Sequence, residues 1–179
     1  MSTLLKLAAG IDWISVRLSR LAACAVLAAA VISAGNALVR YGLDISSNAW
    51  LEIQWYLFAG TVMLGAPAVL KFNEHVRVDI IYGKLKGHRP VYVDLFGLLF
   101  FLLPVMAVLT WLTFPFFWRM YESGEMSDNI GGLIRWPAAI LMPLGFGMMF
   151  LQGIGEIIKR IAYLRGAFEM DTHYEKPVQ

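Results

Sequence analysis

Apolar residues in this chain cluster into four long runs, not into the short stripes of an amphipathic soluble helix. They occupy 21–39 ("LAACAVLAAAVISAGNALV"), 50–70 ("WLEIQWYLFAGTVMLGAPAVL"), 91–118 and 134–158. A helix crossing the hydrocarbon core needs about 20 mostly apolar residues, so each run predicts a spanning helix. Arg40 and Tyr41 close the first, and Lys71 closes the second. Pro90 and Pro137 stand at the starts of the third and fourth, where a first helical turn needs no N–H partner. The last two runs are longer than the bilayer requires, which predicts tilt or extension beyond the lipid. The residues between the runs supply too little polar surface to cover four all-round apolar helices, which excludes a soluble bundle. The fold class expected is an all-α membrane protein with four transmembrane helices. Its parts are a leader (1–20), a four-helix membrane domain (21–164) and a tail (165–179).

Composition agrees: 59% of residues are hydrophobic and 16% charged, against about 25% charged in ordinary soluble domains. The position of the charges adds an orientation. Twelve of the fifteen Lys and Arg residues lie in the leader, the middle loop and the C-terminal end. By the positive-inside rule both termini and the middle loop face the cytoplasm. The far-side loop 121–132, "YESGEMSDNIGG", carries three acids and no base. In the leader, Leu4, Leu7, Ile11, Ile14 and Leu18 share one helical face. That predicts an interfacial helix on the cytoplasmic surface. The leader is long for a signal n-region and the first apolar run long for a signal core, so a retained span is expected.

Candidate chemistry is sparse. The single cysteine, Cys24, excludes an intramolecular disulfide and cysteine-rich metal sites. The three histidines, His75, His88 and His173, lie outside the spans, which argues against membrane haem ligation. "GFGMMFLQGIG" (145–155) has glycines but follows no strand, so it reads as a helix-packing surface and not a phosphate loop. No catalytic constellation, metal site or cofactor is expected, and no nucleic-acid partner. The chain reads as a non-enzyme. Ionisable residues inside spans are functional candidates by default, and here they are Glu52, Asp94 and Glu156. Glu52, one turn from the far surface, is expected to reach water or pair with Arg40. Asp94 suits a helix N-terminus, and Glu156 suits pairing with Lys159 and Arg160. Mid-span polarity is limited to Ser33, Asn36, Thr61, Thr110 and Thr113, with no polar file across the membrane. The chain alone therefore does not read as a carrier, although a small homodimeric carrier or exporter remains the alternative. Ala25, Ala29 and Ser33, Gly60 and Gly65, and the glycines of 145–155 offer close-approach surfaces, either for these helices or for a partner.

The most charged stretch near a span is "FNEHVRVDIIYG" (72–83). As a strand it puts His75, Arg77 and Asp79 on one face. As an amphipathic helix, the favoured reading, it lets His75 meet Asp79. One His beside one Asp is a poor zinc site, so a structural joint between the second and third helices is expected.

Three segments carry a family resemblance: "NALVRYGLDISSNAWLEIQWYLF" (36–58), "LGAPAVLKFNEHVRVDIIYG" (64–83) and "SDNIGGLIRWPAAILMPLGFGMMFLQG" (127–153). Together, in this order, the chain resembles the small Q-type membrane subunit of tripartite ATP-independent periplasmic (TRAP) transporters. Glu52 is followed by Ile53 where many members carry adjacent acids. The resemblance implies a bacterial inner-membrane complex. In it a periplasmic substrate-binding protein captures an organic acid, and a large membrane subunit moves it inward on a sodium gradient. The small subunit is implied to be a scaffold. Arg40, Trp50, Glu52, His75, Arg77 and Asp79 are then expected as structural or partner-contact residues. Glu122, Glu125 and Asp128 are expected in a loop that helps dock the binding protein.

Overall fold

The computed structural model describes residues 1–45, 47–73 and 87–169. His75, Arg77 and Asp79, with the connector around them, lie outside the described residues. The described residues are helical apart from loops and one antiparallel bridge between Met126 and Ile134. Among the described residues four helices are long and apolar enough to cross a membrane: α1 (Ser2–Leu43), α2 (Asn48–Phe72), α3 (Arg89–Ser123) and α4 (Trp136–Leu164). Each contains the greater part of one apolar run.

The leader and the first run form one helix. α1 spans 42 residues without a break, about 63 Å at 1.5 Å per residue. Gly10 is the only poor helix former in the leader, at a cost of about 1 kcal/mol, and packing outweighs it. Ala8, Ser15, Ala22 and Ala29, seven residues apart, are all buried. A seven-residue repeat keeps one seam facing its neighbours along a long helix. The seam continues through the leader, so residues 2–20 and the first apolar run form one continuous helix. The four-residue stripe Ala25, Ala29, Ser33 is not the contact line, because Ala25 is half-buried and Ser33 exposed.

α4 is the centre of the bundle. The α1–α2 hairpin packs on one side of it, and α3 rests almost wholly on it from the other. Small residues set the spacings. A Cβ on Gly145 would lie 2.7 Å from Met63 Cβ and 2.9 Å from the Met63 carbonyl oxygen. That carbonyl is exposed to α4 because Pro67, four residues on in α2, has no N–H to donate to it. Gly153 of α4 similarly abuts Leu102 and Leu103 of α3, and Gly155 abuts Ala8 and Ile11 of α1.

Prolines also shape the helix interiors. α3 widens into a π-turn over Leu98–Leu102, where the Leu103 N–H bonds the Leu98 carbonyl. Pro104 follows at once, and its ring would clash with the Phe100 carbonyl in a regular helix; the wider turn makes room for it. In α4, Pro143 cannot bond Ala139, and the helix loosens at Ile140 between Trp136–Ala139 and Leu141–Leu164.

Candidate functional site

Charged side chains within the bundle collect into two clusters, one at each end of α4. Each is built on polar residues spaced four apart along an apolar helix, which places them on one face.

The first cluster lies near the end of α4 that faces the leader and the start of α3. Gln152, Glu156 and Arg160 stand on one stripe of α4 and are all buried, at 0%, 4% and 5% exposure. Ser15 Oγ of α1 donates to Gln152 Oε1 at 2.7 Å. Gln152 Nε2 donates to Asp12 Oδ1 at 2.8 Å and to Glu156 Oε1 at 3.1 Å. Lys159 Nζ reaches both Asp12 oxygens at 3.1 Å and also pairs with Glu156. Arg160 bridges the other way, donating from Nη2 to Asp94 Oδ2 at 3.0 Å and pairing with Glu156 through Nη1. Two cations and three carboxylates thus join α1, α3 and α4. Among the described residues no buried side-chain nitrogen or oxygen lacks a hydrogen-bond partner. An unpaired charge here would be severely penalised, so the network works as a single clamp. Among the described residues no three His, Cys, Asp or Glu side chains are placed to hold a metal ion; the clamp carboxylates bracket Lys159 and Arg160.

The Glu156 pairing expected from sequence is present, and Asp94 has a more specific partner than a helix terminus. Sequence reading missed Asp12, Ser15 and Gln152. The four-residue spacing of Gln152, Glu156 and Arg160 was the available signal.

The second cluster lies at the opposite end, where residues 124–135 fold over the start of α2. Ser127 N donates to the Leu133 carbonyl at 2.9 Å, and Arg135 N to the Glu125 carbonyl at 2.9 Å. Asn48, Glu52 and Tyr56, again four apart, hold this loop. Asn48 Nδ2 donates to the Ile130 carbonyl at 2.9 Å, and the Tyr56 hydroxyl to the Ile134 carbonyl at 3.1 Å. Glu52 does most. Its carboxylate accepts hydrogen bonds from the Ser127 hydroxyl, from Asn129 Nδ2 at 2.7 Å and from the Leu133 N–H at 2.6 Å. Gly132 permits the approach, since a Cβ there would lie 2.6 Å from Ser127 Cβ and 2.8 Å from Glu52 Oε1.

Glu52 is therefore neither open to water, at 3% exposure, nor paired with Arg40, which is exposed in the last turn of α1. Trp50 projects outward. Of the three loop acids, Glu125 and Asp128 both engage Arg135, the latter at 3.0 Å. Glu122 is exposed on the last turn of α3. Arg135 thus cross-braces the loop from the residue just ahead of α4. Asn48, Tyr56 and Asn129 were missed in the sequence. The first two could have been found by stepping four residues either way from Glu52, whereas Asn129 becomes a partner only once the loop is folded.

Both clusters use charge to fix one segment against another. No curated protein and no solved structure matched the chain. The family described as "Tripartite ATP-independent periplasmic transporters, DctQ component" matches over residues 29–162, and the chain accordingly belongs to the DctQ family, a family of transporter components.

Proposed function

We propose that this small TRAP component is a non-transporting scaffold in a sodium-coupled importer of organic acids. It sits in the bacterial inner membrane with both termini and the 74–86 connector cytoplasmic. It braces the large membrane subunit and helps the periplasmic binding protein dock. The observation that carries this reading is the use made of charge inside the bundle. Asp12, Asp94, Glu156, Lys159 and Arg160 are committed to one interhelical clamp, and Glu52 is committed to holding a loop. Ionisable groups inside a membrane commonly mark substrate, ion or proton pathways, but here they are spent on fixed contacts. Groups held by several mutual hydrogen bonds suit a rigid brace.

Reconstitution in liposomes tests the assignment. Uptake of an organic acid should require the large subunit, the binding protein and a sodium gradient, and this chain alone should give none. Uptake by the purified chain alone, abolished by Glu52→Gln, would establish the small-carrier alternative. Docking is tested by reversing Glu122, Glu125 and Asp128 together. Slower uptake at low concentrations of binding protein is expected, and unchanged uptake removes the loop from the docking surface.

A further inference from the structure

We propose that the groove between α2 and α3 is the seat for one apolar transmembrane helix of the large subunit, with a Lys or Arg at that helix's end beside the 124–135 loop. This rests on the scaffold reading above and adds the surface through which the scaffold works. The groove exists because α4 stands between α2 and α3 and holds them apart. It holds two clefts, each lined from both helices. The cleft of about 500 Å³ near the 124–135 loop is lined by Tyr56, Ala59 and Met63 of α2, Met120 of α3 and Met142 of α4. The cleft of about 430 Å³ at the other end is lined by Leu70 of α2 and by Leu98, Phe101, Val105 and Met106 of α3, with the Asp94–Arg160 pair at its edge. Tyr56, Ala59, Met63 and Leu70 follow one face of α2, and Leu98, Val105, Phe116 and Met120 follow one face of α3. The clefts are therefore two stretches of the same groove.

Three features select a helix as the occupant. From Ala138 to Arg160 the groove follows α4 for about 33 Å. That matches the roughly 30 Å hydrocarbon core, whereas one lipid chain fills only half of it. Met63, Met106, Met120 and Met142 line the clefts; such flexible, polarizable side chains recur on surfaces that receive helices of varied shape. The loop end is also electronegative. Glu52 and Arg135 line the cleft there, and Glu122 and Glu125 stand with Arg119 in the adjoining hollow that shares Phe116, Met120 and Arg135 with it, three acids against two arginines. A basic residue on the incoming helix complements that excess.

The test uses the small and large subunits co-expressed in membranes. A photoreactive benzoylphenylalanine replaces Phe101 or Trp55, the exposed rims of the two clefts (62% and 61%), or Trp111 on the opposite face of α3 (79%). Both rim positions should give an adduct with the large subunit, and position 111 none. In parallel, Val105→Trp and Ala59→Trp fill the clefts and should lower recovery of the large subunit at least tenfold. Ala107→Trp, on the far face of α3, should not. Circular dichroism and monodispersity of each purified variant separate loss of binding from misfolding. Adducts confined to lipid, to a second copy of the chain or to position 111 would overturn the proposal. So would an intact complex without rim adducts, or full recovery with both clefts filled. If the unaltered chain recovers no larger membrane protein at all, the scaffold reading falls with it; if it recovers one through another face, only the groove assignment falls.

Discussion

At Gly145 the backbones of α2 and α4 approach so closely that one methyl group would collide with both the side chain and the carbonyl of Met63. Backbone cannot swing aside as a side-chain tip can. Gly145→Ala should therefore push the helices apart and destabilise the fold by about 1–3 kcal/mol, the usual range for overpacking. Gly153→Ala meets chiefly the terminal methyl of Leu102 and should cost less. Thermal unfolding in one detergent would rank the two, and equal midpoints would show that α2 and α4 are not locked at Gly145. Arg160 sits between Asp94 and Glu156 with 5% exposure. Arg160→Met takes the guanidinium from both Asp94 and Glu156, although Glu156 keeps Lys159, and removing one partner of a buried pair costs about 3–5 kcal/mol. Adding Asp94→Asn and Glu156→Gln removes the excess negative charge left at the clamp and should recover much of that loss. A triple variant no more stable than the single would argue against a closed network. The Glu156–Arg160 pair was legible in the sequence because its spacing is local. Its partners Asp12 and Asp94 were not, since only the fold brings α1 and α3 to the same end of α4.

The same contrast holds for whole elements. Four spans were readable because a membrane helix announces itself by length and apolarity alone. The extent of α1 was not. Leu4, Leu7 and Ile14 form an apolar face, which suggested a helix lying on the membrane surface; that face is exposed in the structure, and the helix that bears it runs without a break into the first span. The most deeply buried leader residues are small, Ala8 and Ser15, with Ile11 packed beside them on Gly155, and a hydrophobic pattern gives small residues little weight. Burial on the α1 seam, with Asp12 and Ser15 in the clamp, makes the leader part of the bundle. Removing residues 2–20 would leave Gln152 and Lys159 without their α1 partners. Glu156 would still hold both, so what is lost is the hydrogen bonds to Asp12 and Ser15, about 0.5–1.5 kcal/mol each. The truncated chain should therefore unfold at a lower temperature, and Asp12→Ala should reproduce part of the effect. A truncation that leaves the unfolding temperature unchanged would make the leader an independent appendage.

Across the described residues of the whole molecule, burial is very uneven. In their most apolar windows α4 has 33% of residues buried and α3 only 6%. α3 has one principal neighbour, α4, and is fastened to it at Asp94–Arg160, at Leu102–Gly153 and through the ring of Tyr121 against Trp136, 5.5 Å between centroids. Few contacts and a π-turn without regular α-helical bonding make a segment that opens before the rest. In the isolated subunit the amides of Leu98–Leu102 and their neighbours should exchange with deuterium faster than those of the clamp stretch of α4 around Gln152. The difference should shrink when the large subunit is present, because a helix seated between α2 and α3 gives α3 a second neighbour. Exchange in α3 as slow as in α4, with or without the large subunit, would mean that α3 is held as firmly as the centre of the bundle. A scaffold of this shape would have no unfinished side for a partner to complete.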